Sequence, residues 1–131
     1  MLRAVAETGG VIGMSAAPHT ILSHSHPLHD IHSVMDHFRY CADLVGIEHV
    51  AFGSDTLYGE HVGLHTVFGH LLGKTTGGGP PHEKVPDVDG LENPKENFGN
   101  ISGELVRDGL SDSEIAPCCG TILRVLKEVG A

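Results

Sequence analysis

Gly46-Ile47-Glu48-His49-Val50-Ala51-Phe52-Gly53-Ser54-Asp55 is an apolar run that stops at a glycine, a serine and a carboxylate. A run of this kind reads as a buried parallel strand, covered on both faces. In β/α folds, the residues just past the carboxyl end of such a strand face the active site. Asp55 stands at that point and is the candidate catalytic residue. Ser-Asp after a strand is also ordinary turn chemistry, so spacing alone leaves open that Asp55 only caps the next turn.

Before this run, Ile31, Val34, Met35, Phe38, Cys41, Ala42 and Val45 recur at three- and four-residue steps. Asp30 stands as N-cap and Gly46 as terminator, which predicts an amphipathic helix between them. Further back, Val11 to Ala17 is short, apolar and ended by Pro18, which suits a second buried strand. Leu2 to Thr8, stopped by Gly9-Gly10, reads as the last turns of a helix. Residues 1–55 are thus helix, strand, helix, strand, the pattern of a right-handed parallel crossover.

Downstream, residues 56–92 read as a long loop, with Gly73 to Gly90 rich in glycine, proline, lysine and aspartate. Loops of this length in compact domains are usually lids or binding segments. Residues 93–131 read as C-terminal helices. Asn93-Pro94-Lys95-Glu96 offers an N-cap, a first-turn proline and a closing glutamate, and Ile101, Leu105 and Val106 continue an apolar face to Gly109. Ser111-Asp112-Ser113-Glu114 is a second capping box. Pro117 is expected to cut that helix short, leaving Thr121 to cap a final one. In that last helix Ile122, Leu123, Val125, Leu126 and Val129 are expected to pack inward, with Arg124, Lys127 and Glu128 facing water. The fold class is therefore α/β, two parallel strands with flanking helices in one domain, residues 1–131.

Composition narrows the partners. The chain has 131 residues, 40% of them hydrophobic, few aromatics and no tryptophan, so its core must be built mainly from aliphatic side chains. A formal charge of -9 argues against nucleic acid and anionic membranes, which need a basic patch to displace counterions. No apolar stretch approaches the roughly 20 residues that cross a bilayer, so no transmembrane segment is expected. Three cysteines, two of them the neighbours Cys118 and Cys119, make no disulfide framework. A reducing, cytoplasmic location is the simple expectation.

The 11 histidines call for a site-by-site reading. His24, His26, His29 and His32 lie on or just after the loop behind the first strand and could hold zinc or nickel. Their spacing is not that of a recognised metal site and suits a solvated histidine loop better. His61 and His65, four apart with Glu60 beside the first, superficially resemble a metalloprotease helix. The glutamate would have to follow the first histidine, and Val62 stands there instead. Gly73-Lys74-Thr75 looks like the end of a phosphate loop, but Phe68 occupies the place of its first glycine. Cys41 falls on the apolar helix face and reads as core. These residues keep open a second function, a stand-alone histidine-rich metal-binding or interaction module. They also leave open a non-catalytic remnant, whose exposed strand edges would favour a homo-oligomer.

Gly9-Gly10-Val11-Ile12-Gly13, Asp36-His37, the run from Asp43 to Asp55, Gly90-Leu91-Glu92-Asn93 and Leu123-Arg124-Val125 together resemble the C-terminal portion of the membrane (renal-type) dipeptidase family. Those are zinc metallopeptidases of the amidohydrolase superfamily. The resemblance implies the C-terminal part of a β/α (TIM-type) barrel, with Val11 to Ala17 as its seventh strand and Val50 to Gly53 as its eighth. It implies a hydrolase that cleaves dipeptides through metal-activated water, with two zinc ions in the complete enzyme. It also implies that Asp55 handles the proton of the attacking water and passes it to the leaving amine. The family's metal ligands come from earlier strands, so the resemblance assigns no zinc ligand here and implies that this segment alone is inactive. Where many members read Asp-Phe-Asp-Gly after the last strand, this chain reads Asp55-Thr56-Leu57-Tyr58-Gly59.

Overall fold

The computed structural model describes residues 1–18, 20–56, 63 and 87–130. His19, His61, His65, Gly73-Lys74-Thr75, most of the 56–92 segment and the side chain of Cys119 lie outside the described residues. In chain order the elements are α1 (Leu2–Glu7), β1 (Ile12–Ser15), α2 (Ile31–Val45), a 3-10 turn (Ile47–His49), β2 (Val50–Gly53), α3 (Asn97–Arg107) and α4 (Asp112–Glu128). The two strands are parallel neighbours, with Ile12 opposite Val50 and Ser15 opposite Gly53. The second strand, expected from His49 to Gly53, begins one residue later, because His49 closes the 3-10 turn that leads into it.

Helix α2 is the centre of the packing. Ile31, Val34, Met35, Phe38 and Cys41 are buried along one stripe. Asp30 is extended at the N-terminus, and its Oδ1 accepts the Ser33 amide at 3.0 Å. Gly46 ends the helix at φ +93°, where a Cβ would meet the Glu48 carboxylate at 2.6 Å. Asp30→Ala should cost about 1 kcal/mol of stability, since it strands an amide the side chain now satisfies. Urea unfolding would show it, and an unchanged midpoint would count against the cap.

Side-chain alternation along the strands divides the sheet into two unlike faces. On one, Met14 and Phe52 pack on the core, and the Phe52 ring stacks on Phe38 with centroids 4.7 Å apart. On the other, Ala51 is buried, whereas Gly13, Ser15 and Gly53 are exposed. The reading of these runs as buried strands, with the second covered on both faces, is therefore corrected for this face: Gly13, Ser15 and Gly53 are exposed.

The C-terminal region also departs from its reading. Helix α3 begins at Asn97, four residues after the expected cap; Asn93 Oδ1 accepts the Lys95 amide and organises a turn ahead of the helix instead. Ile101 and Leu105 are buried, but Val106 is 60% exposed. Pro117 does not break α4, which runs unbroken from Asp112 to Glu128 behind the expected Ser111–Glu114 box. Proline removes the amide that would bond the Ser113 carbonyl, yet Ser113 is exposed, so that carbonyl is not stranded in the core. Thr121 is no cap; it is buried in mid-helix and donates to the Pro117 carbonyl at 2.5 Å. The helix turns Cys118 and Thr121 inward, leaving Ile122, Leu123, Leu126 and Val129 exposed. Arg124, expected to face water, is half-buried and donates to the Gly9 carbonyl.

Candidate functional site

Because the strands are parallel, their carboxyl ends lie side by side. Ser15-Ala16 leaves β1 beside Gly53-Ser54-Asp55 leaving β2, and the Ala16 amide still donates to the Gly53 carbonyl at 3.1 Å. Asp55 is exposed two residues past β2 and has φ +53°, the single positive φ at a non-glycine among the described residues. That left-handed conformation is uncommon outside glycine, though aspartate and asparagine tolerate it best. Asp55 lines a depression of about 440 Å³ whose floor includes Gly13, Ser15, Ala51, Gly53 and Ile122. Among the described residues it is the one ionisable side chain in that lining.

The next residue holds this turn down. Thr56 Oγ1 is 2.6 Å from the Leu91 carbonyl oxygen and 3.2 Å from that of Ser54. The Leu91 segment is itself fixed, because the Asp89 amide donates to the His29 carbonyl and the Ile31 amide to the Asp89 carbonyl. Nothing in the sequence pattern pointed to Thr56 beyond its standing where the family often has phenylalanine.

The described histidines are mostly occupied elsewhere. A carbonyl can only accept, so His29 donates through Nδ1 to Pro18, His37 through Nε2 to Ile21 and His49 through Nδ1 to Gly10. His26 Nδ1 lies 2.8 Å from Asp36 Oδ2, its ring 5.8 Å from that of His32, and His24 is exposed. His24, His26 and His29 are not gathered into one cluster. Among the described residues no three His, Cys, Asp or Glu side chains are placed to hold a metal ion. These residues do not fit a zinc centre.

Ser23, His26 and Asp36 are close enough to invite comparison with a nucleophilic triad, but the connectivity is wrong. Ser23 Oγ donates straight to Asp36 Oδ2 at 2.5 Å and accepts the His26 amide at 2.8 Å. A triad needs the imidazole between hydroxyl and carboxylate. The cluster is a clamp instead, extended by Arg39, which donates to Asp36 and forms a two-pronged pair with Asp108. It ties the histidine loop, α2 and the end of α3 together.

Burial pushes the Asp36 carboxyl up, but the Ser23 and His26 hydrogen bonds and the charges of His26 and Arg39 outweigh it and leave it below its ordinary value. A carboxylate with a lowered folded value stabilises fully above its unfolded value, about 3.9, and loses that contribution as pH falls through the folded one. Asp36→Asn should therefore cost about 1–2 kcal/mol near neutrality, with the gap to wild type closing in acid. Urea midpoints at pH 6 and below pH 3 would check this; a gap independent of pH would refute it. The Cys41 thiol is pushed up by burial, in keeping with a core residue.

Residues 1–67 match the family described as Membrane dipeptidase (Peptidase family M19), just over half of the chain. The chain belongs to the membrane dipeptidase family. No curated protein and no solved structure matches it significantly. The region matched to the membrane dipeptidases takes in β1, α2, β2 and Asp55, so the carboxylate and all of the described lining of the depression except Ile122 fall inside the family segment. Like the family resemblance, the described fold is mixed α/β with two parallel strands and flanking helices. No described helix is long and apolar enough to cross a membrane.

Proposed function

We propose that this chain is the last-strand segment of a zinc-dependent dipeptidase barrel, and that Asp55 is its acid/base carboxylate in cleaving the peptide bond of a dipeptide. The observation that carries the reading is the placement of Asp55. It stands at the carboxyl end of a parallel strand, exposed, held in a left-handed turn and facing an open depression. A carboxylate so placed can take the proton of an attacking water and return it to the leaving amine. The open face of Gly13, Ser15 and Gly53 supports the barrel reading, since interior positions of a barrel are covered by the remaining strands. Zinc is proposed on family grounds alone, with its ligands outside the described residues.

The test assays a panel of dipeptides with zinc added, using the chain alone and the chain joined behind the preceding strands of a family barrel. The chain alone should show no turnover. The joined protein should hydrolyse dipeptides, and Asp55→Asn should remove that activity. Turnover by the chain alone that Asp55→Asn abolishes would overturn the proposed incompleteness. A folded joined protein that hydrolyses nothing would overturn the function.

A further inference from the structure

We infer that Thr56 is a positioning residue, whose hydroxyl locks the left-handed turn that presents Asp55 by anchoring it to the Leu91 carbonyl. The inference rests on the proposed role of Asp55 but concerns backbone conformation, which is measurable without any turnover. Three observations meet here. Asp55 has φ +53° and no glycine to relieve the cost of that conformation. The hydroxyl next to it makes a 2.6 Å bond to a carbonyl 35 residues away in sequence. That carbonyl belongs to Leu91, which is fully buried.

The anchor is rigid for reasons independent of Thr56. The Leu91 amide donates to the Val88 carbonyl, and the Asp89 backbone bridges to both His29 and Ile31 at the head of α2. Asn100 Nδ2 donates to the Gly90 carbonyl at 2.8 Å, which brings α3 into the same frame. The single Thr56 proton has two carbonyls within reach, and the shorter contact, to Leu91, takes it. A threonine bonded only to Ser54 would make a local turn and fix nothing to the rest of the protein. The net worth of one hydrogen bond and the cost of one left-handed non-glycine residue are of similar size. Removing the hydroxyl should therefore let Asp55 leave that conformation in a large share of molecules.

The experiment compares Thr56→Val, which keeps the shape without the hydroxyl, and Thr56→Ser, which keeps the hydroxyl. The readout is the Asp55 intraresidue amide–Hα Overhauser cross-peak, intense when φ is near +60° because the two protons are then close. The expected result is a cross-peak weakened at least twofold in Thr56→Val and retained in Thr56→Ser, with α2 chemical shifts unchanged. An intact cross-peak in Thr56→Val, or an equal loss in Thr56→Ser, overturns the inference. Asp55→Gly provides the second arm, since glycine adopts the turn without the steric cost. Thr56→Val should destabilise the wild type less than it does the Asp55→Gly protein, because leaving the turn relieves steric cost only where Asp55 stands, and equal destabilisation also overturns the inference. If Thr56→Val alone fails to fold, the Asp55→Gly/Thr56→Val protein should fold, and its failure counts against the inference as well. Loss of dipeptidase activity in the joined barrel would leave these readouts unmoved, so the two proposals fail separately.

Discussion

Asp55→Asn in the joined barrel is expected to lower kcat by about 10²- to 10⁴-fold while leaving KM nearly unchanged. Asparagine is close to isosteric with aspartate and is among the residues that accept a left-handed backbone, so the turn at φ +53° is not disturbed. What is removed is the ability to take up a proton. That ability matters only as the water attacks and the amine departs, so substrate binding is spared while the barrier rises. Steady-state kinetics on the two proteins, matched by circular dichroism, would measure it. A fall in kcat of less than about tenfold would mean that Asp55 is a turn residue and that another group moves the proton.

Phe38→Ala is expected to cost about 3–5 kcal/mol. Phe38 is 2% exposed at the middle of α2, and its ring stacks on Phe52. The substitution removes the burial of a whole ring, leaves a cavity, and forfeits an aromatic pair worth about 0.5–1.5 kcal/mol beyond its area. Small domains hold about 5–15 kcal/mol in total, so this one change should consume much of the margin. Urea unfolding followed by far-ultraviolet circular dichroism should show a lowered midpoint, or a chain already unfolded without denaturant. Phe38→Leu, which keeps most of the volume, should cost clearly less. A loss below about 1 kcal/mol for Phe38→Ala would mean that α2 does not seat on β2 through these rings.

The parts legible in the sequence are those set by local chemistry. Asp30, the apolar stripe and Gly46 each act within one helix, and α2 runs from Ile31 to Val45 as they dictate. The Ser111–Glu114 box likewise starts α4 where expected. What local chemistry could not reveal is what lies across from an element. Val11 to Ala17 has the composition of a buried strand, but burial needs a layer across from it, and Gly13 and Ser15 are exposed. Ile122, Leu123, Leu126 and Val129 are apolar for the same unreadable reason, and they stay exposed. Pro117 misled because the sequence does not show that the Ser113 carbonyl it leaves unbonded is open to water. At the candidate site, Asp55 was legible from its place after a strand. Thr56 was not, because its partner lies 35 residues further on.

The bond from Arg124 to the Gly9 carbonyl joins residues 115 positions apart and works beside His49, which holds Gly10 from the other side. A ribosome makes the first strand long before it makes the last helix. The turn that precedes β1 must therefore wait, half-secured by His49, until Arg124 has been synthesised. Contacts of such separation slow folding, because loop closure comes before any reward. Birth order thus leaves the Gly9-Gly10 turn without its second fastening until Arg124 has been made.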